Sequence, residues 1–88
     1  MAWAIEWSDQ ALKALRTLDR PQARRLRDFL SERVATADHP RHLGEPLTGP
    51  LGGLWRYRVG DYRLLCRLED ARLIVLVVAV GHRRDIYR

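Results

Sequence analysis

An α+β fold of order β-α-α-β-β-β is predicted for this chain, with two N-terminal helices on one face of a mainly antiparallel four-stranded sheet. Three observations predict it. Residues 54–59 and 62–68 alternate with period two around Gly60-Asp61, the pattern of a hairpin with Gly at the first central turn position. Residues 73–80, LIVLVVAV, form a continuous apolar run rich in β-branched side chains, which suits a central strand covered on both faces. Residues 8–34 instead repeat their apolar side chains at helical spacing, in two stretches divided by Asp19-Arg20-Pro21. Helices followed by a run of strands make an α+β layer.

The elements follow in order. Residues 2–7 can form a short strand, with Trp3 and Trp7 as core aromatics. Ser8 suits an N-cap, because its hydroxyl can accept a free N–H of the first turn, and Asp9 complements the positive helix end. Ala11, Leu12, Leu15 and Leu18 give the first helix its apolar stripe. Pro21, near the first position of the second helix, costs no hydrogen bond there. Ala23, Leu26, Phe29, Leu30 and Val34 make the second stripe. The opposite side carries Arg24, Arg25, Arg27, Asp28, Glu32 and Arg33, which reads as a solvated face with pairing at i, i+4.

Residues 37–53 hold three of the four prolines and four of the six glycines, so they read as a connecting loop. Strands are expected at 54–59, 62–69 and 72–80, with Asp70-Ala71 as the second turn and 81–88 as a tail. Alternation puts Trp55, Tyr57, Val59, Tyr62, Leu64, Cys66, Leu68, Leu73, Val75, Val77 and Ala79 under the helices. The other face shows Arg56, Arg58, Arg63 and Arg67 beside Ile74, Leu76, Val78 and Val80. Residues 1–88 read as a single domain, since neither side of the loop could build a core alone.

Composition narrows the classes. Hydrophobic residues make up 47% of 88, enough for a packed core. No secretory leader is evident, and the longest apolar run is far short of the roughly 20 residues that span a bilayer, so a cytoplasmic protein is expected. One cysteine, Cys66, excludes an internal disulfide. It alternates inward and reads as a buried small hydrophobe. No His, Cys or carboxylate set has metal-site spacing, so neither metal nor cofactor is expected. His39 and His42 read as loop surface.

Net charge is +5, and its placement is more telling. Residues 1–49 hold eight basic and seven acidic side chains, a difference of +1; residues 54–88 hold eight arginines and four acids, a difference of +4. Lys13 is the only lysine against fifteen arginines. Codon usage can raise that ratio but cannot choose the face on which the arginines fall. In the hairpin register Arg58 stands directly opposite Arg63, with Arg67 diagonal to Arg56. Like charges set opposite each other destabilise a hairpin. A bound polyanion such as RNA is the simplest compensation, and arginine is the better bidentate phosphate group. The apolar margin of Ile74, Leu76 and Val78 also needs a cover, and with the arginines it suits an acidic amphipathic partner.

The loop LTGPLGGLWR (47–56), the run YRVGDYRLL (57–65) and the ending VGHRRDIY (80–87) give the chain a resemblance to RelE-type toxins of the RelE/ParE superfamily. These are the small basic components of type II toxin–antitoxin systems. The resemblance covers nearly the whole chain. It implies a ribosome-dependent endoribonuclease that cuts mRNA in the A site by 2′-OH attack, without metal, and so inhibits translation. It also implies a RelB-like antitoxin with an acidic amphipathic segment, in a hetero-oligomer, and no membrane partner. By resemblance Arg56 and Arg58 match two basic residues of one strand, Arg63 a phosphate-binding arginine of the next, Arg83 the arginine after the last strand's VG, and Tyr87 a tyrosine taken as general base. The two strand positions are often lysine in the family; arginine here is a poor proton shuttle.

The residues themselves leave the proton acceptor open between Tyr87, whose phenolate the surrounding arginines favour, and His82, whose ordinary pKa suits acid–base work. Arg67, Arg84 and Arg88 are further RNA-binding candidates. Two other functions share this fold: a ParE-like inhibitor of DNA gyrase, and an inactive nucleic-acid-binding member.

Overall fold

The computed structural model describes residues 2–86. Strand β1 (Ala4–Trp7) leads to helix α1 (Asp9–Arg16) and helix α2 (Arg20–Asp28). Strands β2 (Glu45–Pro46), β3 (Trp55–Val59), β4 (Tyr62–Glu69) and β5 (Ile74–His82) follow. Among the described residues they form one five-stranded sheet of order β1-β5-β4-β3-β2, parallel between β1 and β5 and antiparallel elsewhere. The α+β class and the two-helix layer are as expected; β2 is the addition. It lies at the sheet edge, where Pro46, opposite Trp55, needs no ladder donor. Gly44 lets this segment lie close to β3, for a Cβ there would sit 2.9 Å from the Arg56 carbonyl and 2.9 Å from the Tyr57 ring.

Both helices start on side-chain caps. Ser8 Oγ accepts from Ala11 N–H at 3.1 Å and donates to the Val78 carbonyl at 3.3 Å, so one hydroxyl caps α1 and ties it to β5. Asp19 Oδ1 accepts from Gln22 N–H at 2.9 Å at the start of α2. Past Asp28 the chain continues as a π-type turn over Phe29–Val34, with Ala35 N–H bonded to the Leu30 carbonyl at 2.8 Å. Leu26, Leu30 and Val34 stay fully buried along this length, and Phe29 meets the Tyr57 ring edge-on at 6.1 Å. Burial of each such side chain stabilises by about 1.5–3 kcal/mol. A charge at Leu26 would therefore break the layer.

The core lies between α1, α2 and one sheet face. Tyr57, Val59, Leu64, Cys66, Leu68, Val75 and Val77 point into it, as the alternation predicts. Beyond Val77 the expectation fails. Cys66 pairs with Val77 but Leu65 pairs with Ala79, so Val78 is bulged. The alternation inverts there: Val80 joins the core and Ala79 does not. The bulge leaves the Val78 carbonyl free for Ser8. It also carries β5 to His82, two residues past the expected end.

The Val59–Tyr62 pairing around Gly60-Asp61 is as expected, with Gly60 at φ +62°. The second turn is longer than Asp70-Ala71. It spans Asp70 to Leu73, with Glu69 paired to Ile74 and Leu73 at φ +53°. Arg41 grips this turn by two bonds to the Asp70 carboxylate, 2.8 and 2.7 Å. None of the described helices is long and apolar enough to cross a membrane.

Candidate active site

Strands β3 and β4 bring the arginines together by register alone. Arg58 stands opposite Arg63, and Arg56 opposite Leu65. The repulsion is met by a residue that sequence reasoning missed. Glu45, on the edge strand beside Arg56, accepts from Arg56 Nη2 at 2.6 Å, and its other oxygen lies 3.3 Å from Arg58 Nε. The signal was present: Glu45 is the only carboxylate between Asp38 and Asp61. The hydrogen bond from Arg56 holds the Glu45 carboxyl below its ordinary range, helped by the charges of Arg56, Arg58 and Arg63. The Arg56 side chain is 21% exposed, whereas that of Arg58 is 59% exposed. Arg63 Nη1 donates to the carbonyls of Gly60 and Tyr62 at 3.0 and 2.9 Å.

Arg83 reaches the same hairpin from the tail. Its N–H donates to the Asp61 carbonyl at 2.7 Å, and its Nε lies 3.7 Å from the Asp61 carboxylate. Gly81 pairs with Arg63, and a Cβ on Gly81 would meet Ile86 Cδ1 at 2.9 Å. The tail therefore folds back over the arginine face, drawn by bonds from Asp85 and Ile86 N–H to the His82 carbonyl at 2.9 and 3.0 Å. Tyr87 and Arg88 lie outside the described residues.

Other candidates stand apart. His82 pairs with Tyr62 and packs edge-on against its ring at 5.8 Å, on the helix side of the sheet. The inverted alternation puts it there, away from Arg63. Its Nδ1 accepts from Arg84 N–H at 3.2 Å, and Arg84 is exposed. Arg67 is exposed four residues from Arg63, about 13 Å along the strand. In the apolar margin Ile74 is only 6% exposed, while Leu76 and Val78 are half-buried. Among the described residues the one exposed large hydrophobe is Leu43, at 38%. It rims a groove of about 340 Å³ floored by Phe29, Gly44 and Glu45 and walled by Arg33, Arg56 and Arg58. Cys66 is buried, which pushes its thiol pKa up. No three metal-ligating side chains gather among the described residues.

The arrangement can seat a phosphate against guanidiniums with one carboxylate in contact. Residues 5–87 match the family described as ParE toxin of type II toxin–antitoxin system, parDE. The chain belongs to that family. It is a toxin of the RelE/ParE superfamily. Toxin RelG of Mycobacterium tuberculosis is 45% identical over 49 residues, 56% of each chain. Toxin RelE of the same organism is 35% identical over 51 residues, 58% of this chain and 53% of the relative. The chain thus spans about half the length of the curated relatives it matches. The toxin–antitoxin complex RelBE2 of M. tuberculosis contains a chain of the same fold, with a TM-score of 0.87 and 27% identity over 97% of this chain and 95% of that one.

Proposed function

We propose that this toxin is a ribosome-dependent endoribonuclease that cuts mRNA in the A site. The observation that carries the reading is the opposed pair Arg58–Arg63 with Arg56 and Glu45 beside it. Cleavage through the ribose 2′-OH needs a base, cations for the charged phosphorane, and an acid for the leaving oxygen. The new bond joins the 2′-oxygen to phosphorus and the bond to the 5′-oxygen breaks, leaving a 2′,3′-cyclic phosphate and a 5′-OH. Arg56, Arg58, Arg63 and Arg83 supply the cations, so no metal is called for.

Glu45 is the base that the geometry favours. Below its ordinary pKa it is ionised but weakly basic. A phosphate that engages Arg56 and Arg58 takes away the donors responsible, and the carboxylate gains proton affinity when the substrate arrives. Tyr87 is the candidate for the second proton transfer; His82, packed on Tyr62 on the helix side of the sheet, is set aside. Arg67, Arg84 and Arg88 would contact flanking RNA.

The proposed partner is an antitoxin of the RelB kind, in a hetero-oligomer in the cytoplasm. Its acidic segment would pair with Arg58, Arg63 and Arg67 and lay an apolar side on Leu76 and Val78. Ile74 adds little free surface. The matched family's ParE description favours one second reading, a DNA gyrase inhibitor acting by protein contact.

Mapping of 5′ ends decides between them. A defined mRNA is incubated with the protein, free and programmed on ribosomes, with EDTA in the free-RNA arm. Cuts inside the A-site codon only on ribosomes, bearing 5′-OH ends, are expected. A folded protein that cuts in neither arm would overturn the nuclease reading, and a gyrase supercoiling assay would then test the second.

A further inference from the structure

Three arginines, not two, converge on the Gly60-Asp61 turn. Arg63 Nη1 donates to the Gly60 carbonyl, and Arg83 is held to Asp61 by its backbone N–H, which brings its Nε to 3.7 Å from the Asp61 carboxylate. The third is Arg25, from the charged face of α2. Its Nη1, Cζ and Nη2 lie 2.8, 3.2 and 3.2 Å from where a Cβ on Gly60 would be. The Arg25 guanidinium therefore occupies space beside Gly60 that a side chain there would fill. The turn thus collects cations from α2, β4 and the tail.

The local balance of charge is unfavourable. Asp61 is the carboxylate of the turn, and its contact is with Arg83. Among the described residues no carboxylate is within ion-pair distance of Arg25 or Arg63. Exposed arginines gathered without counter-ions repel one another. Arg25 is exposed, yet its guanidinium sits beside the turn.

We propose that Arg25 is an RNA-phosphate ligand of this site, forming with Arg63 and Arg83 a cradle at the hairpin tip. The cradle takes the phosphate next to the one that is cleaved. The tip lies two residues beyond the Arg58–Arg63 pair, about 7 Å along the strands, comparable to one nucleotide step of an extended strand. The inference rests on the nuclease reading and adds a substrate contact to it.

The test measures cleavage on mRNA-programmed ribosomes against salt, for the wild type, Arg25→Ala, Arg25→Lys and Arg63→Ala. Arg25→Ala is expected to lower kcat/KM about tenfold and to make its salt slope shallower by about one, the signature of one lost phosphate contact. Arg25→Lys keeps the slope and recovers only part of the rate, because it retains charge but not the planar fork. The melting temperature stays within about 2 °C, as for other surface substitutions. A purely structural Arg25 would lower the melting temperature and leave the slope alone, which overturns the proposal. Wild-type rate and slope in Arg25→Ala, with cleavage lost in Arg63→Ala, overturn it while sparing the nuclease reading. Wild-type cleavage in both alanine variants keeps the nuclease reading but takes Arg25 and Arg63 out of the site, whereas no cleavage by the folded wild type removes the reading and the proposal together.

Discussion

Glu45 Oε2 accepts from Arg56 Nη2 at 2.6 Å, so the shortest ion pair on the arginine face joins an edge-strand carboxylate to a cation of the neighbouring strand. The carboxyl is held below its ordinary value first by this hydrogen bond. A depressed carboxyl contributes stability that is complete above the unfolded value of about 4.3 and is lost as pH falls through the folded one. Thermal melts of Glu45→Gln and wild type should therefore separate at neutral pH and converge in acid. Parallel curves would mean that the pair does not form in solution. If Glu45 is the proton acceptor, the same variant loses about 10²–10⁴-fold in cleavage.

Arg63→Ala separates function from fold. It removes the charge facing Arg58 and two hydrogen bonds to turn carbonyls. Relief of cross-strand repulsion is worth about 0.2–1 kcal/mol, and the lost bonds offset part of it. The melting temperature should hold steady or rise slightly. Cleavage should fall about 10²–10³-fold, the cost of one removed oxyanion donor. An unfolded variant would make Arg63 structural and sink its place in the site.

Local chemistry explains which features were legible beforehand. Ser8 reads as a cap because its hydroxyl serves an N–H three residues on. The Arg58–Arg63 register is legible because Gly60-Asp61 and period-two alternation leave one pairing. The bulge at Val78 was not legible, since 73–80 is apolar throughout and shows no alternation to break. The carbonyl it frees is taken up by a residue distant in sequence, Ser8. His82 was misplaced for the same reason. Strand Glu45–Pro46 is too short to carry a period, and its pairing with β3 depends on the loop returning past Gly44. Arg25 was read as solvated because nothing local joins it to Gly60.

Tyr57→Phe tests how that loop is held. Tyr57 is fully buried, which raises its pKa, and its hydroxyl donates to the buried Pro40 carbonyl at 2.8 Å. The variant keeps the ring contact with Phe29 and removes one hydrogen bond. A loss of about 0.5–1.5 kcal/mol is expected. For a domain of this size each kcal/mol lowers the melting temperature by about 4–8 °C. Cleavage should drop with it, because the loop delivers Glu45 to the arginines. An unchanged melting temperature would show that the hydroxyl bond adds nothing to the loop's anchorage.

Leu73 tests the strain in the second hairpin. At φ +53° it occupies the left-handed region, which costs a non-glycine residue about 1–2 kcal/mol. Its side chain is partly buried against the core, and that burial offsets the strain. Leu73→Asn exchanges packing for a residue that tolerates this conformation, so stability should change by no more than about 0.5 kcal/mol. Leu73→Val loses a methylene and puts a β-branched side chain where its Cβ is most crowded, so it should lose about 1–2 kcal/mol. Urea unfolding of both variants gives the comparison. A valine variant as stable as the asparagine one would mean that the turn relaxes out of the left-handed conformation at no cost.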